Sequence, residues 1–271
     1  MPELPEVETA MRGLEARLTG RTITDVAQHR ADLRFPLPPA LPERLIGCRM
    51  QSFGRRAKYI LVKLDNDHRL LLHLGMSGRL VFDGDAAGPH EHLTFRFDDG
   101  TVLRYVDPRR FGMLDLVAEA KLDVHPRLAD LGLEPLDPGF DGKVLKRVLE
   151  GRISPVKTAI MNQKLVVGVG NIYACESLFK AKLSPTRPAD SLKAGDCKRL
   201  AVAIRDVLQA AIKAGGSSLR DYVQTDGELG YFQHHFEVYG RVDEPCPRCH
   251  HPIKTISQAN RTTFFCSRCQ R

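Results

Sequence analysis

The chain has 271 residues, 42% of them hydrophobic, enough for one large domain or two modest ones with ordinary cores. Lys and Arg number 40 against 33 Asp and Glu, and the resulting charge of +7 favours a polyanionic partner without specifying one. No stretch approaches the roughly 18 consecutive apolar residues of a membrane helix, the acidic start Met1-Pro2-Glu3-Leu4-Pro5-Glu6 is not a secretory signal, and seven cysteines, an odd number, point to a reducing cytoplasm.

Residues 5–18 read as a helix, with Val7, Met11, Leu14 and Leu18 on one face and Gly20 just past its end. Strand patterns follow at 22–29, 58–64, 69–74, 92–97 and 101–106, and Asp98-Asp99-Gly100 is the hairpin turn between the last two. Tight turns in place of crossover helices imply antiparallel pairing in a sandwich or barrel. The texture changes at the turn-rich linker 131–139. Helical patterns occupy 142–149, then 171–180 with Asn171 as its cap, then 193–214 with Leu200, Ile204, Leu208 and Ile212 at a spacing of four. Gly215-Gly216 ends the last helix, and a loop rich in Gly, Ser and Asp leads to a short cysteine-bearing tail. Val166-Val167-Gly168-Val169-Gly170 lacks the third glycine and the acidic residue of a dinucleotide loop, so no nucleotide cofactor is expected there.

The tail reads Cys246-Pro247-Arg248-Cys249, sixteen residues, then Cys266-Ser267-Arg268-Cys269. Two such turns complete a tetrahedral S4 site for one Zn2+, with no open position, so the metal is expected to be structural. Strands at 251–257 and 262–265 would form a hairpin too small to fold unaided. A pair of disulfides, or unrelated thiols, is the alternative. Arg248, Lys254, Arg261 and Arg268 suit phosphate contact. Zinc ribbons also mediate protein contacts, so the ribbon alone leaves the partner open. Cys48, Cys175 and Cys197 are isolated.

Pro2-Glu3-Leu4-Pro5-Glu6-Val7-Glu8-Thr9 resembles the opening of the formamidopyrimidine-DNA glycosylases. The resemblance continues, in the family's order, through Arg55-Arg56-Ala57-Lys58-Tyr59, His73-Leu74-Gly75-Met76-Ser77-Gly78, Asp107-Pro108-Arg109-Arg110-Phe111-Gly112, Gly168-Val169-Gly170-Asn171-Ile172-Tyr173-Ala174 and the four-cysteine tail. It implies an α+β multi-domain fold: an N-terminal antiparallel β-sandwich with a leading helix (1–130), a helix–two-turn–helix domain (131–235) and a zinc finger (236–271), with double-stranded DNA in a cleft between the halves. It implies a base-excision-repair enzyme, both glycosylase and abasic-site lyase, that removes 8-oxoguanine and formamidopyrimidines from duplex DNA. A monomer is the default, and no organic cofactor is expected.

The resemblance makes the amine of Pro2 the nucleophile once Met1 is removed, because behind Met1 the nitrogen is an inert amide. An attacking amine must be unprotonated. A model α-amine, with pKa about 7.7–8.0, is roughly a tenth neutral at pH 7, against less than about a thousandth for a lysine near 10.4. Proline's secondary amine is more basic than that model, so its surroundings must recover part of the advantage. Glu3 is then the general acid, Lys58 the proton donor for β-elimination, and Arg261 the phosphate contact implicated in δ-elimination. Taken alone, Pro2 would be a helix-initiating proline and Glu3, like Glu6 and Glu8, a first-turn glutamate complementing the dipole.

Extrusion of a nucleotide leaves a void that apolar wedges and Arg fill. The resemblance assigns this to Met76, Arg109 and Phe111. It places His73, His90, Arg152 and Asn171 on the DNA backbone, Lys157 near the damaged base, and the loop 215–222 over it. Asn162 stands where many relatives carry Asp. The nearest rivals are the related endonuclease VIII type, which prefers oxidised pyrimidines, and a non-catalytic DNA-binding protein of the same architecture.

Overall fold

The computed structural model describes residues 2–83, 88–217, 225 and 230–271. The chain forms two compact units, Met1–Ala129 with Ala214–Tyr231, and Asp130–Lys213 with Phe232–Arg271. The division differs from the three segments expected in sequence. The stretch after the long helix belongs to the first unit, and the cysteine tail is part of the second.

The first unit opens with α1 (Leu4–Leu18), which has Pro5 in its first turn and buries Leu4, Val7, Ala10, Met11, Leu14 and Leu18. Gly20, at φ 82°, follows its end. Two four-stranded antiparallel sheets follow. One runs β1 (Ile23–Gln28), β6 (Glu91–Phe97), β7 (Val102–Val106) and β5 (Arg79–Phe82); the other runs β2 (Met50–Arg56), β3 (Tyr59–Leu64), β4 (His68–His73) and β8 (Met113–Ala118). Alternate residues such as Ile60, Val62, Leu70 and Leu72 from one sheet, and Leu93, Phe95, Leu103 and Tyr105 from the other, share a core with Leu14 and Leu18 of α1. A one-turn helix, α2 (Leu41–Leu45), adds Leu41 and Leu45.

Four of these elements escape the sequence patterns. β2 (MQSFGRR) is a polar edge strand with a single buried residue, Met50. β5 is only four residues long, β8 has Asp115 in its middle, and α2 is a single turn. β2 and β8 lack an alternating face, and β5, whose Leu80 and Phe82 do alternate inward, is too short to show a period; all three are held by hydrogen bonds to a neighbour.

The second unit is helical, with α3 (Gly142–Leu149), α4 (Val156–Met161), α5 (Asn171–Lys180) and α6 (Ala194–Lys213). Asp141 caps α3, accepting the N–H groups of Lys143 and Val144 at 2.8 Å each. Helix α6 packs on α3 and α5, and α5 packs on β10 (Arg261–Phe265), which pairs with β9 (Lys254–Gln258). Glu176 of α5, 3% exposed, accepts the N–H groups of Glu237, Val238 and Tyr239 at 2.8–3.0 Å. Burial pushes its carboxyl up, and these three donors oppose that shift. The carboxylate thereby pins the chain entering the ribbon to the helix.

Candidate active site

Pro2 is buried immediately before α1, and Glu3 is the N-cap residue, 2% exposed. Glu6 reaches back to accept the N–H of Glu3 at 2.8 Å, half of a capping box. Its other oxygen accepts both the N–H and the hydroxyl of Ser217, at 2.9 and 3.1 Å. Glu6 is therefore more than a dipole-compensating glutamate: it ties the start of the chain to the segment after α6. Sequence reading missed this, because contacts more than 200 positions apart leave no local signal. Of the loop 215–222, residues 218–222 lie outside the described residues, as does Met1.

Helix α1 packs on β2 and β3. Glu8 fixes that contact, accepting from Arg55 of β2 at 2.8 Å and from Arg12 at 2.9 Å. Arg55 also donates to the carbonyl of Ala57, whose φ of 54° makes the β2–β3 turn. Lys58 follows in that turn, 8% exposed, and not in a strand as its run suggested.

His73 ends β4, half-buried, its ring 4.8 Å from that of Tyr59. Nδ1 accepts the N–H of Gly75 at 2.9 Å, so the neutral ring carries its proton on Nε2, as a donor. Burial, then the charges of Lys58 and Arg34, push its pKa down to about 4 from an ordinary 6.5. Between these values the unfolded chain takes up a proton that the folded chain refuses. Stability is therefore complete above about pH 6.5 and falls as the pH drops to 4, by roughly 3 kcal/mol at most. An imidazole titration followed by NMR should place His73 near 4, and His73→Gln should remove this part of the pH dependence. A midpoint near 6.5 contradicts the assignment.

Met76 is half-buried in the β4–β5 turn. Arg109 and Phe111 lie between β7 and β8, the guanidinium 5.0 Å from the ring centre. Phe111 is 42% exposed, although its ring is large and apolar. The two loops touch: a Cβ on Gly75 would come within 2.3 Å of the Phe111 carbonyl carbon. Thus all three expected wedge residues belong to one pair of packed loops. His90 is exposed in a single 3-10 turn, and its carbonyl accepts the Asp107 N–H at 2.9 Å.

In the second unit, Arg152 is exposed after α3. Asn171 is the first residue of α5 and does not cap it; Gly170 takes the cap position. The Asn171 amide instead donates to the carbonyl of Thr262 at 2.9 Å and accepts from Lys157 at 2.5 Å. Lys157 is fully buried and donates also to the Thr263 hydroxyl at 2.7 Å. The resemblance expects Lys157 near the damaged base; here its ammonium bonds within the unit, to Asn171 and to Thr263 of β10. Arg261 is exposed at the tip of the β9–β10 hairpin, after Ala259 and Asn260, both at positive φ as a two-residue primed turn requires. Asn162 caps the C-terminal end of α4, its side chain accepting the Lys164 N–H at 3.0 Å.

The four tail cysteines converge, every sulfur lying within 4.8 Å of the others. Cys246 and Cys269 are 3.9 Å apart, and Cys249 and Cys266 are 3.5 Å apart. Thiolates about 2.3 Å from a tetrahedral ion would be about 3.8 Å apart, whereas disulfide sulfurs are about 2.05 Å apart. The cluster is thus built to hold a metal ion. Cys48, Cys175 and Cys197 are buried and are not members of this four-sulfur cluster.

Three family models match the chain: the formamidopyrimidine-DNA glycosylase N-terminal domain over residues 1–114, the H2TH domain over 131–223, and the zinc finger found in FPG and IleRS over 243–271. The formamidopyrimidine-DNA glycosylase of Rhodospirillum centenum (strain ATCC 51521 / SW) is 53% identical over 290 residues, covering 100% of both chains. The chain belongs to the formamidopyrimidine-DNA glycosylase family. Another member, from Acidiphilium cryptum (strain JF-5), is 51% identical over 276 residues and also covers 100% of both chains. The crystal structure of the MutM (Fpg) protein from Thermus thermophilus superposes with a TM-score of 0.89 at 40% identity, over 99% of this chain and 98% of that one. The Lactococcus lactis Fpg bound to DNA containing an abasic site gives 0.92 at 34% identity, over 99% of each. The β-sandwich, the helical H2TH domain and the zinc-finger-like tail are those of the family.

Proposed function

We infer that this chain is a bifunctional DNA glycosylase and abasic-site lyase that excises oxidised purines, 8-oxoguanine and formamidopyrimidines, from duplex DNA. The observation carrying the reading is Glu3, a carboxyl group only 2% exposed directly behind Pro2 at the head of α1, in a chain that matches the family from end to end. After loss of Met1, the unprotonated Pro2 nitrogen attacks C1′ and the glycosidic bond breaks. Its electron pair leaves with the base, which takes up a proton. The resulting iminium acidifies the C2′ proton. Loss of that proton expels the 3′ phosphate, and a second elimination expels the 5′ phosphate, leaving a one-nucleotide gap. Glu3 supplies a proton as the sugar opens or the base departs, and Lys58 supplies one during β-elimination.

His73, His90, Arg152, Asn171 and Arg261 engage phosphates, while Met76, Arg109 and Phe111 fill the void left by the swung-out nucleotide. The cysteine cluster holds one structural Zn2+, for which four thiolates with no open position are the fitting donor set. The protein acts as a monomer in the cytoplasm. Duplexes carrying 8-oxoguanine or thymine glycol, cleaved side by side, test the substrate assignment. We expect at least a tenfold preference for 8-oxoguanine; a preference for thymine glycol contradicts the oxidised-purine reading.

A further inference from the structure

Asp107 is fully buried, and among the described residues its side-chain hydrogen bonds go to the loops that carry the expected wedge residues. One carboxylate oxygen accepts the Ser77 hydroxyl at 2.6 Å, and the other accepts the Gly112 N–H at 2.8 Å. Ser77 adjoins Met76, and Gly112 adjoins Phe111. The same Ser77 hydroxyl oxygen accepts the N–H of Arg109 at 3.1 Å. The backbone of Asp107 extends the web. Its carbonyl accepts the Arg110 N–H at 3.2 Å and lies 2.8 Å from His92 Nε2. Arg110 is held at φ 56°, a left-handed conformation uncommon for a non-glycine residue.

Tyr105, 0% exposed, closes the web from below. Its hydroxyl stands within 1.6 Å of where a Cβ on Gly112 would be and 2.8 Å from one on Gly78, so both loops need glycine to pack around it. Burial and the neighbouring Asp107 charge keep its phenol protonated.

We propose that Asp107 is a positioning residue for base extrusion: its buried carboxylate clamps the Gly75–Gly78 and Pro108–Gly112 loops into one rigid wedge that carries Met76, Arg109 and Phe111. The proposal rests on the glycosylase reading above. Preorganisation is the physical reason for such a clamp. A wedge that must hold a duplex open loses force if its side chains are ordered only on insertion. Asparagine in place of Asp107 is nearly isosteric but offers only one acceptor oxygen. Turned to Gly112, it points its NH2 group at Ser77, whose hydroxyl oxygen must then serve both that group and Arg109.

The test compares single-turnover rates of the full-length, zinc-loaded protein on two substrates. One is 8-oxoguanine in a duplex, which needs extrusion; the other is an abasic site in single-stranded DNA, which does not. For Asp107→Asn we expect the duplex rate to fall at least tenfold more than the single-strand rate, with the fluorescence rise of 2-aminopurine beside the lesion slowed to match. Ser77→Ala, a smaller change to the same web, should give the same split at three- to tenfold. In an Arg109→Ala, Phe111→Ala background, Asp107→Asn should add less than threefold. Equal losses on both substrates, or no loss on the duplex, overturn the clamp. Inactivity of the unaltered protein on both substrates would instead refute the glycosylase reading.

Discussion

Replacing Pro2 with glycine should lower excision of 8-oxoguanine by about a hundredfold or more and should abolish or relocate the adduct trapped by borohydride. The variant still begins with an amine, so the loss isolates what proline contributes. A secondary amine forms an iminium with no proton on nitrogen to lose, and this cation stays charged while it draws electrons from C2′. A glycine amine gives an imine that can discharge to neutral. Glycine also removes the pyrrolidine ring, which ties the nucleophilic nitrogen to the side chain and restrains it at the head of α1. A trapped adduct that moves to Lys58, which is buried in the β2–β3 turn, would be consistent with this account; an unchanged rate and adduct on residue 2 would not.

Cys249→Ser should release the metal and weaken binding to a lesion-containing duplex by about a hundredfold, with a lowered melting temperature. Structural zinc contributes about 10–16 kcal/mol in small finger peptides, more than a 29-residue tail could recover from its own core. That core is small: Cys246, Ile253 and Cys266 pack on Cys175, Phe179 and Val238. The loss would also travel. Thr263 of β10 holds Lys157, and Lys157 holds Asn171, so an unravelled hairpin displaces Arg261 and releases Asn171 together. Zinc content by atomic absorption and affinity by fluorescence anisotropy check both halves. A variant that keeps one equivalent of zinc and its affinity would refute the structural-metal assignment.

Features with a local period or spacing were legible in the amino-acid sequence: α1, the antiparallel strands with alternating faces, α6 and the two CxxC turns. The family resemblance added the roles of Pro2, Glu3 and Lys58, for which local patterning had offered only a helix start and a solvated lysine. What remained hidden depends on burial and on distant partners. The strands β2, β5 and β8, respectively polar, short and without alternation, pair with a neighbour that supplies their hydrogen bonds. Glu6 looks like any first-turn glutamate until Ser217 meets it. The resemblance sets Lys157 near the damaged base, and nothing local shows that this lysine is buried with its ammonium bonded to Asn171 and Thr263. Asp107 lies inside a motif whose arginines and phenylalanine attract notice first, and only its two short hydrogen bonds distinguish it.

Peptide mapping of the borohydride-trapped adduct, formed on an 8-oxoguanine duplex, addresses the chemistry most directly. The attached sugar remnant should sit on an N-terminal peptide that begins at Pro2, with its mass on the proline itself. An adduct carried by a chain that still begins with Met1, or one found on a lysine of the unaltered protein, would contradict attack by the terminal amine.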